Sequence, residues 1–289
     1  MSQQGENAGN RAMFRHVVLT RFWFRISAIG RDSGPRPDPA WFENRLNLFK
    51  TYCLPSVVAQ SVQNFTWFIY FDACTPDEYL DRMRELIAPY GNIRVRTSPS
   101  YDGSLLARDS IAEIEDASEW LLTTRLDSDD GWHRDFVKRL QASVQQQKRE
   151  FLNFPAGIIA YRNKVFLYRH RSNAFISLLE PIANATTVCC GPHEELSRLA
   201  PIRQLDPTPA FVQVVHGTNL SNKPRGARVH KAIALQGFEA IPALFAPPFE
   251  ESDTGILFEN ATSALAWRIR DKVLDLAKGI VRAARNKRS

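Results

Sequence analysis

The 289-residue sequence has no apolar run near the roughly 18 residues that would span a bilayer, and it opens on the polar stretch MSQQGENAGN. Without the basic and apolar regions of a secretion signal, the expectation is a protein that stays in the cytosol. Cysteine is scarce. Cys53, Cys74, Cys189 and Cys190 show no CxxC spacing and two of them are neighbours, which argues against a disulfide framework or a zinc site. The N-x-S/T triplets at Asn64, Asn184, Asn219 and Asn260 carry no weight in a chain without an export signal. Internal repeats and low-complexity tracts are lacking too, so collagen, coiled-coil and solenoid architectures are set aside. What is present is ordinary globular composition, with 44% hydrophobic, 11% aromatic and 24% charged residues, enough apolar mass for a sizeable core.

The formal charge is +6, which invites nucleic acid as a partner until the charge is located. Eight of the 37 basic residues and two of the 31 acidic residues lie in 261–289, so the remaining 29 of each sign cancel. The excess therefore belongs to a tail. There Leu265, Ile269, Val273, Leu276 and Ile280 recur at helical spacing, which predicts a basic amphipathic helix that docks on its own domain or rests on a membrane surface. No nucleic acid is expected.

Up to about residue 150 strand-like and helix-like segments alternate, the pattern of a mostly parallel sheet covered by helices on both faces. Strands are predicted at His16–Phe24, Phe65–Phe71, Ile93–Thr97 and Trp120–Leu126. Helices are predicted at Trp41–Val62 with a kink at Pro55, after a Thr75 cap, at Leu105–Glu115 and at His133–Gln147. Beyond Glu150 the pattern becomes antiparallel, with a hairpin in Gly157–Arg169 around Arg162-Asn163-Lys164 and a strand at Phe211–His216. This suggests a nucleotide-binding half over 13–150, an acceptor-side half over 151–260, and the basic tail over 261–289. Residues 223–260 carry little pattern.

The most informative segment is Asp127-Ser128-Asp129-Asp130, at the carboxyl end of an apolar strand. Open α/β sheets bind ligands at that edge. Three carboxylates within four residues repel one another unless cations or strong donors face them. Mg²⁺ or Mn²⁺ would suit these hard oxygen ligands and would bridge them to a nucleotide diphosphate. A solvated acidic turn capping the next helix is the alternative.

Phe65–Asp72 followed by Thr75-Pro76-Asp77, then Asp102-Gly103 with Ala107-Arg108-Asp109, then Glu119–Asp130 resemble a GT-A glycosyltransferase in order and spacing. Arg21-Phe22-Trp23-Phe24, Tyr52-Cys53-Leu54-Pro55-Ser56 with Gln60, the acidic turn and Val215-His216-Gly217-Thr218-Asn219 are similar to the bacterial putative rhamnosyltransferases, a resemblance over about residues 13–222. The resemblance implies an α/β, Rossmann-like GT-A fold and transfer of a sugar, L-rhamnose from dTDP-rhamnose, to a glycan, lipid-linked or small-molecule hydroxyl of the cell envelope. It further implies that Thr20 and Arg21 lie near the nucleotide, Asp72 accepts from a uracil or thymine ring, and Arg108 faces the diphosphate. Asp127 would hold the ribose or sugar, Asp129 would ligate the metal, Asp130 would be a second ligand or a helix cap, and His216 would complete the metal site. Asp109 stands where the larger family usually has Asn.

Inverting transfer also needs a carboxylate to deprotonate the acceptor. Glu180, beside an apolar segment, is the expected base, with Glu194, Glu195 and Asp206 as alternatives; an ion pair from Glu180 to Arg169 or Arg171 is the competing structural role. The other function classes to weigh are a metal-dependent nucleotidyltransferase or phosphohydrolase and a non-catalytic membrane-surface module. A haloacid-type phosphatase would carry its acidic motif on the first strand, and here it follows the fourth.

Overall fold

In the computed structural model of the chain the described residues are 14–24, 38–112, 118–144, 148–193, 195–216, 225–246 and 252–262. The first strand, β1 (Phe14–Trp23), is followed by α1 (Pro39–Leu48), a π-helical turn over Phe49–Cys53, and α2 (Leu54–Val58). The single kinked helix expected at Trp41–Val62 thus resolves into three pieces. Pro55 has no N–H to donate, and just ahead of it the ladder widens so that Leu54 N–H reaches Phe49 C=O, five residues back.

Next come β2 (Thr66–Asp72), α3 (Asp77–Ile87), β3 (Ile93–Ser98), α4 (Gly103–Ala112) and β4 (Trp120–Arg125). The cap of α3 falls one residue later than expected, at Pro76, with Asp77 and Glu78 in the first turn where the helix dipole favours them. A two-residue strand, β5 (Gly131–Trp132), then precedes α5 (Phe136–Ala142), which starts three residues after the expected His133. The second half contributes β6 (Glu150–Asn153), the hairpin β7 (Ala156–Tyr161) and β8 (Lys164–Arg169), β9 (Ser177–Pro181), β10 (Ile202–Gln204) and β11 (Phe211–Val215). The sparsely patterned region holds β12 (Ala227–Val229), α6 (Lys231–Ala234) and a helical segment over 253–262.

Two sheets result. The larger has the order β10-β6-β9-β4-β1-β2-β3 and is parallel except for β9, as the α/β class predicts. Strands β6, β9 and β10 come from beyond residue 150, so the larger sheet draws on both halves of the chain. The smaller sheet, β12-β8-β7-β11-β5, is mixed, with β11 parallel to β7 and antiparallel to β5. Period-two alternation sorts the large sheet's side chains. Val18 and Phe22 join Trp67, Ile69 and Phe71 in one core with Phe42, Phe49 and Phe136, while Val17 and Leu19 join Phe68, Tyr70 and Leu106 in the other. All seven residues of β2 are buried, as expected of a central strand covered on both faces.

The order places β2 on one side of β1 and β4 on the other. That reversal opens a crevice at the carboxyl ends of β1 and β4, and the acidic turn follows β4 there.

One buried polar chain crosses β1, β4 and β9. Gln141 Nε2 donates to His16 Nδ1 at 3.1 Å, which leaves His16 Nε2–H to donate to Thr124 Oγ1 at 2.9 Å, and that hydroxyl meets Ser177 Oγ at 2.8 Å. The arrangement requires neutral imidazole, and burial lowers the His16 pKa to about 3. Below the ordinary histidine pKa the unfolded chain takes up a proton that the folded chain refuses, so this contribution to stability is complete above pH 6.5 and is lost as pH falls toward 3. Urea unfolding of wild type and His16→Gln across that window should show wild type losing about 1 kcal/mol more per pH unit than the variant. Parallel pH profiles would remove His16 as the cause.

Candidate functional site

The turn Asp127–Asp130 follows on the end of β4. Leu126 N–H still bonds to Leu19 C=O at 3.1 Å, and Asp130 N–H closes back on Asp127 C=O at 3.2 Å. Gly131 then re-enters extended structure against β11, opposite Val212. No side chain fits there: a Cβ on Gly131 would lie 2.7 Å from Ile241 Cδ1 and 3.1 Å from the Tyr52 carbonyl oxygen. The turn is thereby wedged between the π-turn and the second sheet.

Each acid meets a different partner. Arg125, two residues earlier on the same strand face, grips Asp127 with Nε at 3.2 Å from Oδ1 and its terminal nitrogen at 3.1 and 3.2 Å from Oδ1 and Oδ2. Asp129 receives Arg45 of α1 at 2.7 Å and His216, at the end of β11, at 2.8 Å, both on Oδ2. Burial alone would raise the Asp129 carboxyl, but the His216 hydrogen bond and the Arg45 charge together hold it below the ordinary carboxylate value. Asp130 is buried, and its Oδ1 accepts from Val214 N–H at 2.8 Å. Burial, and then the charges of Asp129 and Asp127, push its pKa well up.

With Asp130 pushed toward its neutral form by burial, two carboxylates face two guanidinium groups. Unit charges 4 Å apart interact by about 4 kcal/mol near a protein surface, so three unneutralised acids here would oppose folding strongly. The burial of Asp130 and the pairing of the other two remove that conflict. The same negative potential, after burial, keeps the neighbouring Cys53 thiol protonated, with a pKa well above its ordinary value.

Two polar atoms in the site have no hydrogen-bond partner. Ser128 Oγ is fully buried between two acids, and Arg45 Nε is buried beside the Asp129 ion pair. Unsatisfied buried groups of this kind are uncommon outside sites where a ligand completes them. An oxygen of Asp129 and a nitrogen of His216 converge, a hard donor pair suited to a divalent cation whose other positions come from ligand oxygens and water. Among the described residues no group of three or more His, Cys, Asp or Glu assembles around one point.

Several expected site residues take other places. Thr20 points into the core, where its hydroxyl accepts from Trp67 Nε1 at 2.8 Å, so it does not line the edge. Asp72 does sit at the carboxyl end of β2, but it is 3% exposed and its Oδ1 accepts from Cys74 N–H at 2.9 Å. Arg21 is exposed at the end of β1, its guanidinium 5.7 Å from the Tyr101 ring centre. Arg108 projects from the exposed side of α4, and its neighbour Asp109 accepts from Tyr70 Oη at 3.3 Å. Asp130, engaged by β11, is neither a converging metal ligand nor the cap of α5, which is Asp135.

Glu180 requires a clear correction. It lies opposite Leu121, six residues before Asp127, so about 20 Å of extended strand separates it from the acidic turn. It has no exposed surface and accepts from Thr187 N–H at 2.7 Å, Thr186 N–H at 3.0 Å and Arg149 Nε at 3.4 Å. A fully engaged carboxylate at the wrong end of the strand is not the acceptor's base. Neither Arg169 nor Arg171 is its partner; Arg149 is. Of the alternatives, Glu195 pairs with Arg198, Asp206 pairs with Arg139 at 2.6 Å, and Glu194 lies outside the described residues.

Arg45 and Arg125 were missed in the sequence. Arg125 had a readable signal, a lone cation in the apolar run WLLTTRL at period two from Asp127. Arg45 had none, because its partner is 84 residues away.

The sequence model of the family described as "Putative rhamnosyl transferase" matches residues 17–228. None of the curated proteins matches the chain significantly. Among solved structures, S. aureus TarS residues 1–349 aligns at 12% identity over 69% of this chain and 60% of that one, with a TM-score of 0.40. Its complex with UDP-GlcNAc aligns at 12% identity over 84% and 69%, with a TM-score of 0.42. The inositol-1-phosphate CTP transferase of T. maritima aligns at 10% identity over 72% and 92%, with a TM-score of 0.35. The chain thus spans under two thirds of the first TarS structure, and at such scores nothing about substrate follows from these likenesses.

Replacing Glu180 by Gln leaves Thr186 and Thr187 N–H facing an amide that presents its own donors. An unfolding free energy lower by about 2–3 kcal/mol is expected in urea titration; an unchanged value would contradict the buried network.

Proposed function

Since the chain belongs to the family described as putative rhamnosyl transferases, we propose that it transfers a sugar from a nucleotide diphosphate donor to a hydroxyl acceptor at the acidic turn. The observation that carries this reading is the convergence of Asp129, His216 and Arg45 at the carboxyl edge where the strand order reverses. That edge is where α/β sheets hold nucleotides. A departing diphosphate needs fixed positive charge beside it.

In this reading Asp129 and His216 would hold Mn²⁺ or Mg²⁺, which would supply Lewis-acid stabilisation of the diphosphate. Arg45 stands beside it with an unsatisfied Nε, ready to meet a phosphate oxygen. Arg125 fixes the Asp127 carboxylate in one orientation, so that it presents a rigid acceptor to ribose or sugar hydroxyls. Arg21 and Asp72, at the ends of β1 and β2, flank the nucleotide, and Arg108 approaches from α4. Thr20 and Glu180 take no part. The donor sugar is rhamnose, as the family's description suggests; in this reading it is the L sugar carried on dTDP, and the acceptor is a glycan or lipid-linked hydroxyl of the cell envelope.

Contact with a membrane surface fits the same reading. The helical segment over 253–262 exposes Leu257 and Phe258, 68% and 70% accessible, immediately before the basic stretch of the sequence. Residues 263–289, which carry the expected amphipathic helix, lie outside the described residues. Among the described residues no helix is long and apolar enough to cross a membrane.

Calorimetric titration of the full chain with dTDP-rhamnose, UDP-sugars and GDP-sugars, with Mn²⁺ and with chelator, tests the donor site. Binding of one nucleotide sugar is expected, with Asp129→Asn weakening it at least about tenfold, the equivalent of 1.4 kcal/mol, and Glu180→Gln leaving it intact in the folded fraction. No binding of any nucleotide sugar would overturn the reading. Release of pyrophosphate from a nucleoside triphosphate and a sugar phosphate would replace it with nucleotidyl transfer.

A further inference from the structure

Among the described residues four large apolar side chains are exposed, Leu199, Ile233, Leu257 and Phe258, and three of them belong to two joined helical pieces. Leu257 and Phe258 lie on the segment over 253–262, whose start Ser252 caps by accepting from Gly255 N–H at 3.1 Å. Ile233 lies on α6 and is 71% exposed. The pieces meet where His230, the residue that precedes α6, bonds to Asp253 at 2.5 Å. Ile233 follows His230 by three residues and Leu257 follows Asp253 by four. Each apolar side chain therefore stands about one helical turn from that joint, on the face of its bonded neighbour.

The other face of the segment is fastened to the small sheet. Asn260 brackets the backbone of the end strand β12, its Oδ1 accepting from Arg228 N–H at 2.7 Å and its Nδ2 donating to Arg228 C=O at 3.0 Å. Glu259 receives the Arg228 guanidinium at 2.9 Å and also Lys164 of β8, and Ile256 is buried. Positions 256, 259 and 260 thus hold the helix down, while the step of about 100° per residue turns 257 and 258 outward. A water-facing helix surface has no need of adjacent bulky apolar residues, and a cluster of them marks a surface that something covers.

The chemistry of that partner follows from size and charge. Three side chains are far fewer than the roughly 20–30 residues a side that a stable protein interface uses. A bilayer surface is held by a few inserted apolar groups when a second signal assists them. Residues 263–289, which follow the segment in the sequence, carry eight basic residues against two acidic ones. Such a stretch is drawn to anionic headgroups.

We infer that Ile233, Leu257 and Phe258 form a docking surface for an anionic lipid bilayer, entering its interface while the basic stretch meets the headgroups. Lys164, clasped by Glu259, lines with His216 a cleft of about 350 Å³, and His216 bonds to Asp129. The docked helix is thereby joined through two side chains to the acidic turn, which assigns the acceptor to the lipid-linked class. That assignment, unlike the docking itself, rests on the glycosyl-transfer reading.

The full chain is mixed with phosphatidylcholine vesicles, with and without phosphatidylserine at about one third of the lipid, and the bound fraction is read by co-sedimentation. Expected is binding to the anionic vesicles, weakened about tenfold or more in the double variant Leu257→Ser/Phe258→Ser and less in Ile233→Ser, with dTDP affinity unchanged in each. All three positions face water, so equal urea midpoints are expected of the variants. No binding of the wild-type chain to anionic vesicles overturns the inference. Unchanged vesicle affinity in the double variant also overturns it, by leaving the contact to the basic stretch alone. A wild-type dimer that the double variant loses would overturn it too, by assigning the face to a second copy. Absence of dTDP binding, with vesicle binding retained, would count against the glycosyl-transfer reading and the lipid-linked acceptor while the docking surface stands.

Discussion

Three carboxylates delivered by one buried strand must be neutralised, and the fold of this chain is organised around doing so. Asp127 is neutralised within the strand by Arg125 and Asp129 from α1 by Arg45 and from β11 by His216, while Asp130, pushed toward its neutral form by burial, accepts from Val214 N–H. The partners come from β4 itself, from α1 and from the end of β11, so the turn is also the point where the large sheet, the α1 helix and the small sheet are fastened together. Gly131 makes that fastening sterically feasible, because only a residue without a Cβ lets Ile241 and the Tyr52 carbonyl approach so closely.

A site under that constraint has little freedom. Asp127 is clamped bidentately, and a planar guanidinium holds a carboxylate in one plane where an ammonium would not. Asp129 shares one oxygen between two donors from different elements, so a shift of α1 relative to β11 would break one bond to keep the other. The unsatisfied Ser128 Oγ and Arg45 Nε are then the only polar atoms of the turn and its pairing cation described as buried without a partner. Unsatisfied atoms inside an otherwise rigid frame give a ligand something to bind without rearranging its host, the sense in which such a site is preorganised.

Much of this was legible from the sequence because period and composition report local structure directly. The runs VVLTRFWF, FTWFIYF and WLLTTRL became β1, β2 and β4 within one or two residues, and Arg162-Asn163 became the hairpin turn. The resemblance implied that Asp129 and His216 would both serve one metal site; their side chains lie in direct contact, 2.8 Å apart. What could not be read was long-range. Glu180 reads as a partly buried acid beside an apolar segment, yet antiparallel pairing of β9 on β4 carries it to the far end of the strand, a consequence of register that no local pattern encodes. Thr20 fell on the core face because β1 is buried on both sides, where a threonine can satisfy its hydroxyl on Trp67. Arg45 and Lys231 acquire their roles only from packing, and the region around Lys231 has prolines and short elements in place of a period.

Charge location, more than net charge, is what separates the functional readings. The +6 of the chain arises after residue 260, while the body is balanced, so attraction to polyanions in bulk is not a property of the folded portion. Within that balanced body the charges are sorted locally. Acids and their paired guanidinium groups gather at the end of β4, and Arg162, Lys164 and Lys231 line a cleft beside His216, Lys164 paired with Glu259. His216 both lines that cleft and bonds to Asp129, so the pairing that allows the acidic turn to fold also ties the two regions together.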